Sequence, residues 1–260
     1  MSVYIHEKPE YLDLALNSIY KQTLKPDEII LVKDGLLTDE LETIIQKYSD
    51  IKIVSLYRNV GLGKALDVGL KYCNYEIVAR MDTDDIAKFD RFEKQIAIFE
   101  KYPNIDVVSA WVDEFEINIC NILSFRKLPE MHDAIYDFAK SRNPINHPVV
   151  MFRKQAVIAA GGYQHFPLFE DYYLWVRMLM NGAIFYNVQE SLLFFRFSLD
   201  VFKRRGGWRY AIYEYRFQKK IREMGFISFP KFVKNILSRF IVRIVPNFIR
   251  IIVYKRVLRD

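Results

Sequence analysis

The sequence predicts an α/β fold in which a mostly parallel sheet is flanked by helices. Over the first hundred residues, short apolar segments alternate with segments whose apolar residues recur at helical spacing. The strand-like segments are apolar throughout, which is the pattern of parallel strands buried on both faces. With 260 residues, of which 51% are hydrophobic, the chain is long enough to build a sizeable core around such a sheet.

The predicted elements of the first hundred residues follow in a regular order. The first helix places Leu12, Leu16 and Ile19 on one face. The second strand runs into Asp34-Gly35, a dipeptide typical of turns. In chain order we expect a strand at 2–5, a helix at 10–22, a strand at 28–33, helices at 38–48 and 63–73 on either side of a strand at 51–56, and a strand at 76–81.

Beyond residue 105 the pattern is mixed, but three features are clear. Residues 149–152 form a short apolar run that we predict as a strand. Gly161-Gly162 marks a break in the chain. A helix is expected over 170–181, where Asn181-Gly182 ends it.

Charge divides the chain into two parts. From Lys203 to Asp260 there are 16 Lys and Arg against 3 Asp and Glu, a net charge of +13, whereas the first 202 residues carry 22 against 29, a net charge of −7. We therefore expect a body of residues 1–202 and a basic tail of residues 203–260. Such a tail points to a polyanionic partner, either nucleic acid or an anionic membrane surface.

Polar residues follow three of the predicted parallel strands. Asp34, Asn59 and the stretch 82–85 (Asp-Thr-Asp-Asp) each lie just beyond the carboxyl end of a strand, which is the edge where such sheets bind ligands. Three carboxylates within four positions repel one another unless a cation lies among them. Oxygen ligands suit Mg²⁺ or Mn²⁺, and Mg²⁺ is commonly held by one or two carboxylates together with substrate phosphates.

The acidic stretch at 82–85 and the glycine-containing stretch at 61–65 have other interpretations. The acidic turn would also suit the N-terminus of a helix expected near Phe89. An EF-hand calcium loop does not fit, because Ile86 and Ala87 occupy positions that need an acidic residue or Asn and a Gly. The stretch Gly-Leu-Gly at 61–63 lacks the third glycine of a dinucleotide-binding loop, and Lys64-Ala65 does not match a phosphate-binding P-loop.

Six separated motifs occur in an order and at a spacing that resemble one family. They are SVYIHEKPEYLDLALNSIYKQTLKPDEIILVKDG, RNVGLGKAL, ARMDTDDI, NPINHPVVMFRK, GGY and FEDYYLWVRM. On these motifs the chain resembles inverting glycosyltransferases of family 2, which have the Rossmann-like GT-A fold, and among them bacterial galactosyl- and glucosyltransferases of O-antigen and capsule synthesis. The resemblance covers residues 2–205.

The resemblance implies a UDP-sugar site that uses Mn²⁺ or Mg²⁺. Asp84 would bind the metal, and Asp82 would contact either the ribose or metal-bound water. Asp171, beside Glu170, would be the general base of catalysis. The residues that the resemblance assigns to the nucleotide sugar are Val3, Tyr4, Glu7, Asp34, Asn59, Gly61, Lys64, Arg80 and Asp82.

The chemistry of inverting transfer gives both acidic sites a role. One carboxylate must take the proton from the acceptor hydroxyl as it attacks the anomeric carbon, and a Lewis acid must stabilise the departing diphosphate. His147 either hydrogen-bonds the donor phosphate or the acceptor, or is structural. Leu66-Asp67 stands where many family members have Arg-Asn, which puts one donor contact in doubt.

The tail has an amphipathic pattern. Val233, Ile236 and Leu237 recur at helical spacing over a stretch that carries 8 basic residues and one acidic residue between 228 and 260. A transmembrane span does not fit, because arginines interrupt every apolar window long enough to cross a bilayer. The pattern predicts a helix lying on an anionic membrane surface, or alternatively one packed on the body. Arg204 and Arg205 would either meet an acceptor diphosphate or belong to a solvated linker.

The resemblance implies an inverting enzyme of O-antigen or capsular polysaccharide synthesis that moves a hexose, galactose or glucose, from a UDP-sugar to a sugar on undecaprenyl diphosphate. The start of the sequence does not have the pattern of a secretion signal, and two cysteines make no disulfide framework. We therefore expect a cytoplasmic protein, peripheral on the inner face of the bacterial cell membrane, with no nucleic-acid partner. The alternatives are a sugar nucleotidyltransferase and a catalytically inactive scaffold at the membrane surface.

Overall fold

The computed structural model describes residues 1–197 and 207–244. Several helices begin at a sequence start signal. Helix α1 (Pro9–Tyr20) has Pro at its first position, where an N–H would lack a helical partner, and the Thr38 hydroxyl accepts the Leu41 N–H at the start of α2 (Asp39–Gln46). The other helices of the body are α3 (Leu62–Tyr72), α4 (Arg91–Lys101), α5 (His132–Ala139), α6 (Lys154–Ala159) and α7 (Glu170–Met180).

Three parallel strands form the first sheet: β1 (Ser2–Val3), β2 (Ile29–Lys33) and β3 (Ile51–Ser55), in that order. Because successive residues of a strand face opposite sides, Leu31 packs with α1 and α2, whereas Ile30 and Val32 pack with α3 on the other side. The carboxyl ends of these strands lie at one edge, as predicted.

The strands of the second sheet are β4 (Ile77–Ala79), β5 (Ile86–Ala87), β6 (Val107–Phe115), β7 (Ile122–Arg126), β8 (Met151–Arg153) and β9 (Phe185–Arg196). They lie in the order β4-β8-β6-β9-β5, with β7 paired to β6. Among the described residues, β6 and β9 are the only parallel pair of this sheet, and its other pairs are antiparallel.

The α/β prediction is confirmed, with one correction to strand direction. Parallel pairing holds throughout the first sheet but not in the second. Parallel neighbours need a crossover connection, usually a helix, whereas β6 and β7 are joined by a short loop that returns the chain directly. The predicted strand at 149–152 begins later, because residues His147–Val149 form a 3₁₀ helix before β8.

Two further helices, α8 (Gly207–Glu223) and α9 (Phe229–Ile244), follow the second sheet. The predicted C-terminal helical extension is confirmed, although α8 was not anticipated. Phe217 of α8 is buried and its ring stacks on that of Phe169 at a centroid distance of 4.9 Å, so α8 shares a hydrophobic core with α7. Among the helices of residues 1–197 and 207–244, none is both long enough and apolar enough to cross a membrane.

Candidate active site

A cluster of three carboxylates follows β4. Asp82, Asp84 and Asp85 present oxygen atoms that all lie within 4.8 Å of one another. The strand delivers the cluster to the rim because its apolar residues pair with β8, and the chain turns where the charged residues begin. This is the arrangement that the sequence predicted for a metal site.

The three carboxylates have different surroundings. Arg80 is buried, and two nitrogens of its guanidinium donate hydrogen bonds to the Asp82 carboxylate, one of them at 2.8 Å. Burial, and then the neighbouring charges of Asp82 and Glu7, raise the pKa of Asp84 to about 7. Asp85 is fully buried, and burial and then the charge of Asp84 raise its pKa well above the usual range.

Two side chains from distant parts of the sequence hold the loop that carries the cluster. The backbone N–H of Arg196 donates to Asp85 Oδ1 at 2.7 Å, and the side-chain Nε–H of Arg196 donates to the Asp84 carbonyl at 2.8 Å. The Arg196 guanidinium lies 3.8 Å from the centroid of the Tyr11 ring, a cation–π contact. On the other side, the Thr83 hydroxyl donates to Glu7 Oε2 at 2.6 Å, which ties the loop to the segment after β1.

These residues fit a divalent cation. The donor set consists of carboxylate oxygens, which hard cations prefer. Asp85 Oδ2 is buried and makes no hydrogen bond within the described residues. Burial, and then repulsion from neighbouring carboxylates when no cation is bound, account for the raised pKa of Asp84.

The loop between β3 and α3 is fixed to the end of β2 by one carboxylate. Asp34 is buried, and its two oxygens accept the N–H groups of Val60 and Gly61 at 2.7 and 3.0 Å. Gly35 allows this approach, because a Cβ there would lie 2.9 Å from the Asn59 nitrogen and its φ of 93° disfavours other residues. Asp34 therefore shapes the loop that presents Asn59, Gly61 and the exposed Lys64.

Val3, the last residue of β1, contributes less to the site than predicted. Val3 is fully buried in the core between the first sheet and α1, so its side chain does not reach the rim. Tyr4, by contrast, is 43% exposed at the rim, and Glu7 contacts the carboxylate loop through Thr83. The nucleotide-binding prediction for Val3 is thus restricted to its backbone.

A second acidic site lies at the start of α7. Asp171 Oδ2 accepts an N–H of the Asn143 side chain at 2.7 Å, and Oδ1 accepts the Tyr172 N–H at 2.7 Å. Glu170 is half-buried, and burial raises its pKa above the usual range. Leu168, just before the helix, has a φ of 69°, the one positive value for a non-glycine residue among those the structure describes.

Tyr163, to which His147 is hydrogen-bonded, lies within electrostatic range of the two acidic sites. Tyr163 Oη and His147 Nε2 are hydrogen-bonded at 2.9 Å, and the Tyr163 N–H donates to Asp67 at 3.2 Å. Burial, and then the positive charge of Arg80, hold the pKa of His147 well below its usual range, so this ring is neutral at pH 7. Burial raises the pKa of the Tyr163 hydroxyl, and the charges of Asp171 and Asp82 raise it as well, so both acidic sites lie within electrostatic range of this group.

Sequence reasoning missed several residues that shape the site. Among them are Arg196, Asn143 and Tyr163. The hydrogen bonds of Arg196 to Asp85 and Asp84 and of Asn143 to Asp171 join positions 28 to 112 residues apart, and that of Tyr163 to His147 joins positions 16 residues apart. Asn143 and Tyr163 stand within the quoted motifs NPINHPVVMFRK and GGY, which is a signal that was available. Arg204 and Arg205, predicted to meet the acceptor, lie outside the described residues.

Comparisons with known proteins agree with this arrangement. Residues 2–157 match the glycosyl transferase family 2 model. The chain belongs to glycosyltransferase family 2. It is 40% identical, over its whole length and 95% of the relative's, to an Escherichia coli UDP-Gal:alpha-D-GlcNAc-diphosphoundecaprenol beta-1,3-galactosyltransferase. It is 41% identical to the amylovoran biosynthesis glycosyltransferase AmsE of Erwinia amylovora, with 87% of each chain covered.

Solved structures show that the glycosyltransferase has the GT-A fold of this family. S. aureus TarS matches with a TM-score of 0.63 at 20% identity, covering 93% of this chain and 42% of that one. The mannosyltransferase PcManGT from Pyrobaculum calidifontis, in complex with GDP-Man and Mn²⁺, matches with a TM-score of 0.65 at 15% identity, covering 92% and 67%. The predictions of family, fold and transferase activity are confirmed, and use of a divalent metal agrees with the carboxylate cluster.

Proposed function

We propose that this glycosyltransferase moves a hexose, galactose or glucose, from a UDP-sugar to a sugar carried on undecaprenyl diphosphate, with inversion at the anomeric carbon. The product would be part of an O-antigen or capsular repeat unit. The observation that carries the proposal is that two acidic sites lie within electrostatic range of Tyr163, one of them a three-carboxylate cluster suited to a metal and the other Asp171. Full-length similarity to the E. coli galactosyltransferase supports the choice of donor and acceptor.

The donor half of the reaction depends on the carboxylate cluster. Asp84 and Asp82, with Asp85 behind them, would hold Mn²⁺ or Mg²⁺, which when bound stabilises negative charge on the departing diphosphate. Arg80 fixes the orientation of Asp82 through its paired N–H groups. Asp34 orders the loop from which Asn59, Gly61 and Lys64 would contact ribose and diphosphate.

The acceptor half depends on Asp171. Its carboxylate would accept the proton of the acceptor hydroxyl as that oxygen attacks the face of the sugar opposite the diphosphate. The Asn143 amide and the Tyr172 N–H each occupy one lone pair, so the carboxylate is held in one orientation while further lone pairs stay available. His147, neutral and hydrogen-bonded to Tyr163, would contact the acceptor as a hydrogen-bonding group rather than as a charge.

A membrane-linked acceptor would explain why the C-terminal helices expose both apolar and basic side chains. Ile212 on α8 and Leu237 on α9 are 47% and 60% exposed, on helices whose other exposed residues include Lys219 and Lys234. Apolar burial combined with attraction to anionic lipid would hold the exposed faces of α8 and α9 on the inner face of the cell membrane, while the buried face of α8, which includes Phe217, packs on the catalytic body. Arg204 and Arg205 would then meet the acceptor diphosphate.

Sugar transfer from a panel of UDP-sugars onto synthetic GlcNAc- and GalNAc-diphosphate-lipid acceptors tests the proposal. We expect metal-dependent transfer from UDP-galactose or UDP-glucose, giving a β-linked product. Transfer from another donor would correct the sugar. No transfer to either acceptor, with UDP and Mn²⁺ still bound, would refute the proposed acceptor, and absence of UDP binding would refute the donor as well.

A further inference from the structure

The C-terminal end of helix α5 is held by side chains of other helices. The last carbonyls of an α-helix have no partner within the helix. The three successive carbonyls of residues 139–141 each accept a hydrogen bond from a side chain. The Tyr172 hydroxyl of α7 donates to the Ala139 carbonyl at 2.6 Å, and α9 supplies the other two donors. The end of α5 is therefore fixed between the base-bearing helix and α9.

Asn235 of α9 joins the end of α5 to α8. The side chain is buried, and its amide nitrogen donates to the Lys140 carbonyl and to Gln218 Oε1 of α8, both at 2.8 Å. Both N–H groups of the amide are thereby used. Because a buried amide that lost one of these partners would be left unsatisfied, the pairing fixes where the Lys140 carbonyl lies.

Arg239, one turn further along α9, holds the next carbonyl of α5. One guanidinium nitrogen donates to the Ser141 carbonyl, and another donates to the buried carboxylate of Glu214. The ion pair with Glu214 restricts where the guanidinium can lie, and a positive charge is favourable at the C-terminal end of a helix. Two successive carbonyls at the end of α5 are thus fixed by α9.

The segment that follows these carbonyls carries Asn143. Its amide donates to Asp171 Oδ2 at 2.7 Å, and its Oδ1 accepts the Ile145 N–H at 3.3 Å. The Asn143 carbonyl accepts an N–H of Arg126 at 3.0 Å, so the segment is also anchored to β7. Since one residue separates Asn143 from Ser141, a shift of the Ser141 carbonyl would displace the Asn143 amide relative to α7.

Helix α9 has its polar side toward the body and an apolar side toward solvent. Val233 and Leu237 are 37% and 60% exposed. Asn235 and Arg239 each lie two residues further on, about 200° around the helix. Because buried polar groups are costly unless they are paired, the position of α9 on the body depends on these hydrogen bonds.

We propose that Asn235 and Arg239 are positioning residues for the base: they hold the end of α5, which places Asn143, which in turn orients Asp171. The inference rests on the proposed function in one respect, that Asp171 accepts the proton of the acceptor. The hydrogen bonds of Asn235 and Arg239 go to α5 and α8 rather than to the carboxylate cluster, so metal and UDP binding should not depend on them. The helix proposed to meet lipid on its outer face would then position the base from its inner face.

The main test is Asn235→Ala, which removes the donor to Lys140 without leaving a buried charge unpaired. Transfer is measured in detergent with Mn²⁺, from UDP-galactose to a synthetic GlcNAc-diphosphate-lipid acceptor. We expect kcat to fall about three- to tenfold, no further than in Asn143→Ala, because the variant acts through Asn143. The KM for UDP-galactose should stay unchanged. Calorimetry should show the parent's affinity and number of sites for UDP, which a misfolded protein would lose.

A second variant and a control accompany it. Arg239→Met combined with Glu214→Gln removes the donor to Ser141 and leaves no buried charge unpaired, so kcat should fall in the same way. Ser238→Ala is the matched control on the same helix. The Ser238 hydroxyl donates to the Asn235 carbonyl within α9 at 3.1 Å, and this variant should have the kcat of the parent.

A measurement without substrate separates this inference from the proposed function. The Ile145 N–H donates to Asn143 Oδ1, so its hydrogen exchange reports the position of the Asn143 side chain. We expect exchange at Ile145 to be at least about tenfold faster in Asn235→Ala than in Ser238→Ala. If the parent transfers no sugar to the acceptor, the proposed function fails, and the exchange still tests the link from α9 to Asn143.

Three results would each overturn the proposal. Unchanged kcat, or unchanged exchange at Ile145, in Asn235→Ala would mean that α9 does not position the base. Loss of UDP sites in place of a loss of kcat would show a role in folding alone. An equal fold loss of kcat from Asn235→Ala in the Asn143→Ala background would mean that Asn235 acts elsewhere, because nothing would remain there for it to position.

Discussion

Two groups of carboxylates meet at one rim of this glycosyltransferase, and they are held in opposite ways. The cluster after β4 crowds three acidic side chains together, and the pKa of Asp84 rises to about 7 as a result of burial and neighbouring charge. Asp171 instead has one amide and one backbone N–H on its oxygens. In the proposed mechanism a cation completes the crowded site, whereas the hydrogen-bonded carboxylate takes a proton. One half of the site would then bind the donor and the other half would react with the acceptor.

The largest expected effect comes from removing the proposed base. Asp171→Asn keeps the size of the side chain but cannot accept the acceptor's proton, so kcat should fall about 10³-fold. Affinities for UDP and Mn²⁺, measured by calorimetry, should stay unchanged because the metal cluster is intact. Glu170→Gln is the matched control and should lose about tenfold or less. If Glu170→Gln were the more damaging change, the assignment of the base would move to Glu170.

A change in the carboxylate cluster, by contrast, should weaken metal binding. Asp84→Asn removes a metal ligand, so Mn²⁺ affinity should fall at least about tenfold and transfer with it. The same change removes like-charge repulsion, so the metal-free variant should have a higher Tm than the metal-free parent at pH 8. A lower Tm would contradict the idea that the cluster is electrostatically strained without a cation.

The pH dependence of stability sharpens the same contrast. The folded pKa of Asp84, about 7, lies above the value near 3.9 of an unfolded aspartate, so the folded state binds more protons between these values. This contribution is fully present below about pH 4 and is lost as pH rises through 7, on the order of 4 kcal/mol in urea unfolding of the metal-free protein. Saturating Mn²⁺ should reduce the loss, and Asp84→Asn should lack this component.

The smallest effect is expected at the residue that orients the base. Asn143→Ala removes the amide that holds Asp171, so kcat should fall about three- to tenfold with little change in the KM for the donor. Asn143→Ser, which keeps a short donor, should recover part of the loss. An equal loss in the Asp171→Asn background would show that Asn143 acts elsewhere, because a residue that works only through Asp171 has nothing to orient there.

The comparison also shows how far sequence reasoning reaches. Asp84 and Asp171 were predicted because each lies in a local motif at the end of an element. Arg196 was not, because its hydrogen bond to Asp85 joins positions 111 residues apart, and no local pattern encodes that contact.

The fold was likewise predictable only in the parts where a local sequence pattern determines the structure. The alternating strands and helices of the first hundred residues gave the first sheet correctly, but strand direction in the second sheet depends on pairing between distant segments. Helix α8 was missed because its buried side includes Glu214 and Gln218, which interrupt the apolar pattern. These polar groups are paired with Arg239 and Asn235 of α9, partners that no sequence window contains together.

The stacking of Phe217 on Phe169 links the C-terminal helices to chemistry. Phe169 directly precedes Glu170 and Asp171, so the helix pair proposed to rest on lipid touches the residue that starts the base-bearing helix. An enzyme anchored this way would search for its lipid-linked acceptor in two dimensions rather than three. The height of Asp171 above the bilayer would be set by a rigid aromatic contact, so the reach of the enzyme along a growing glycan would be a property of its architecture.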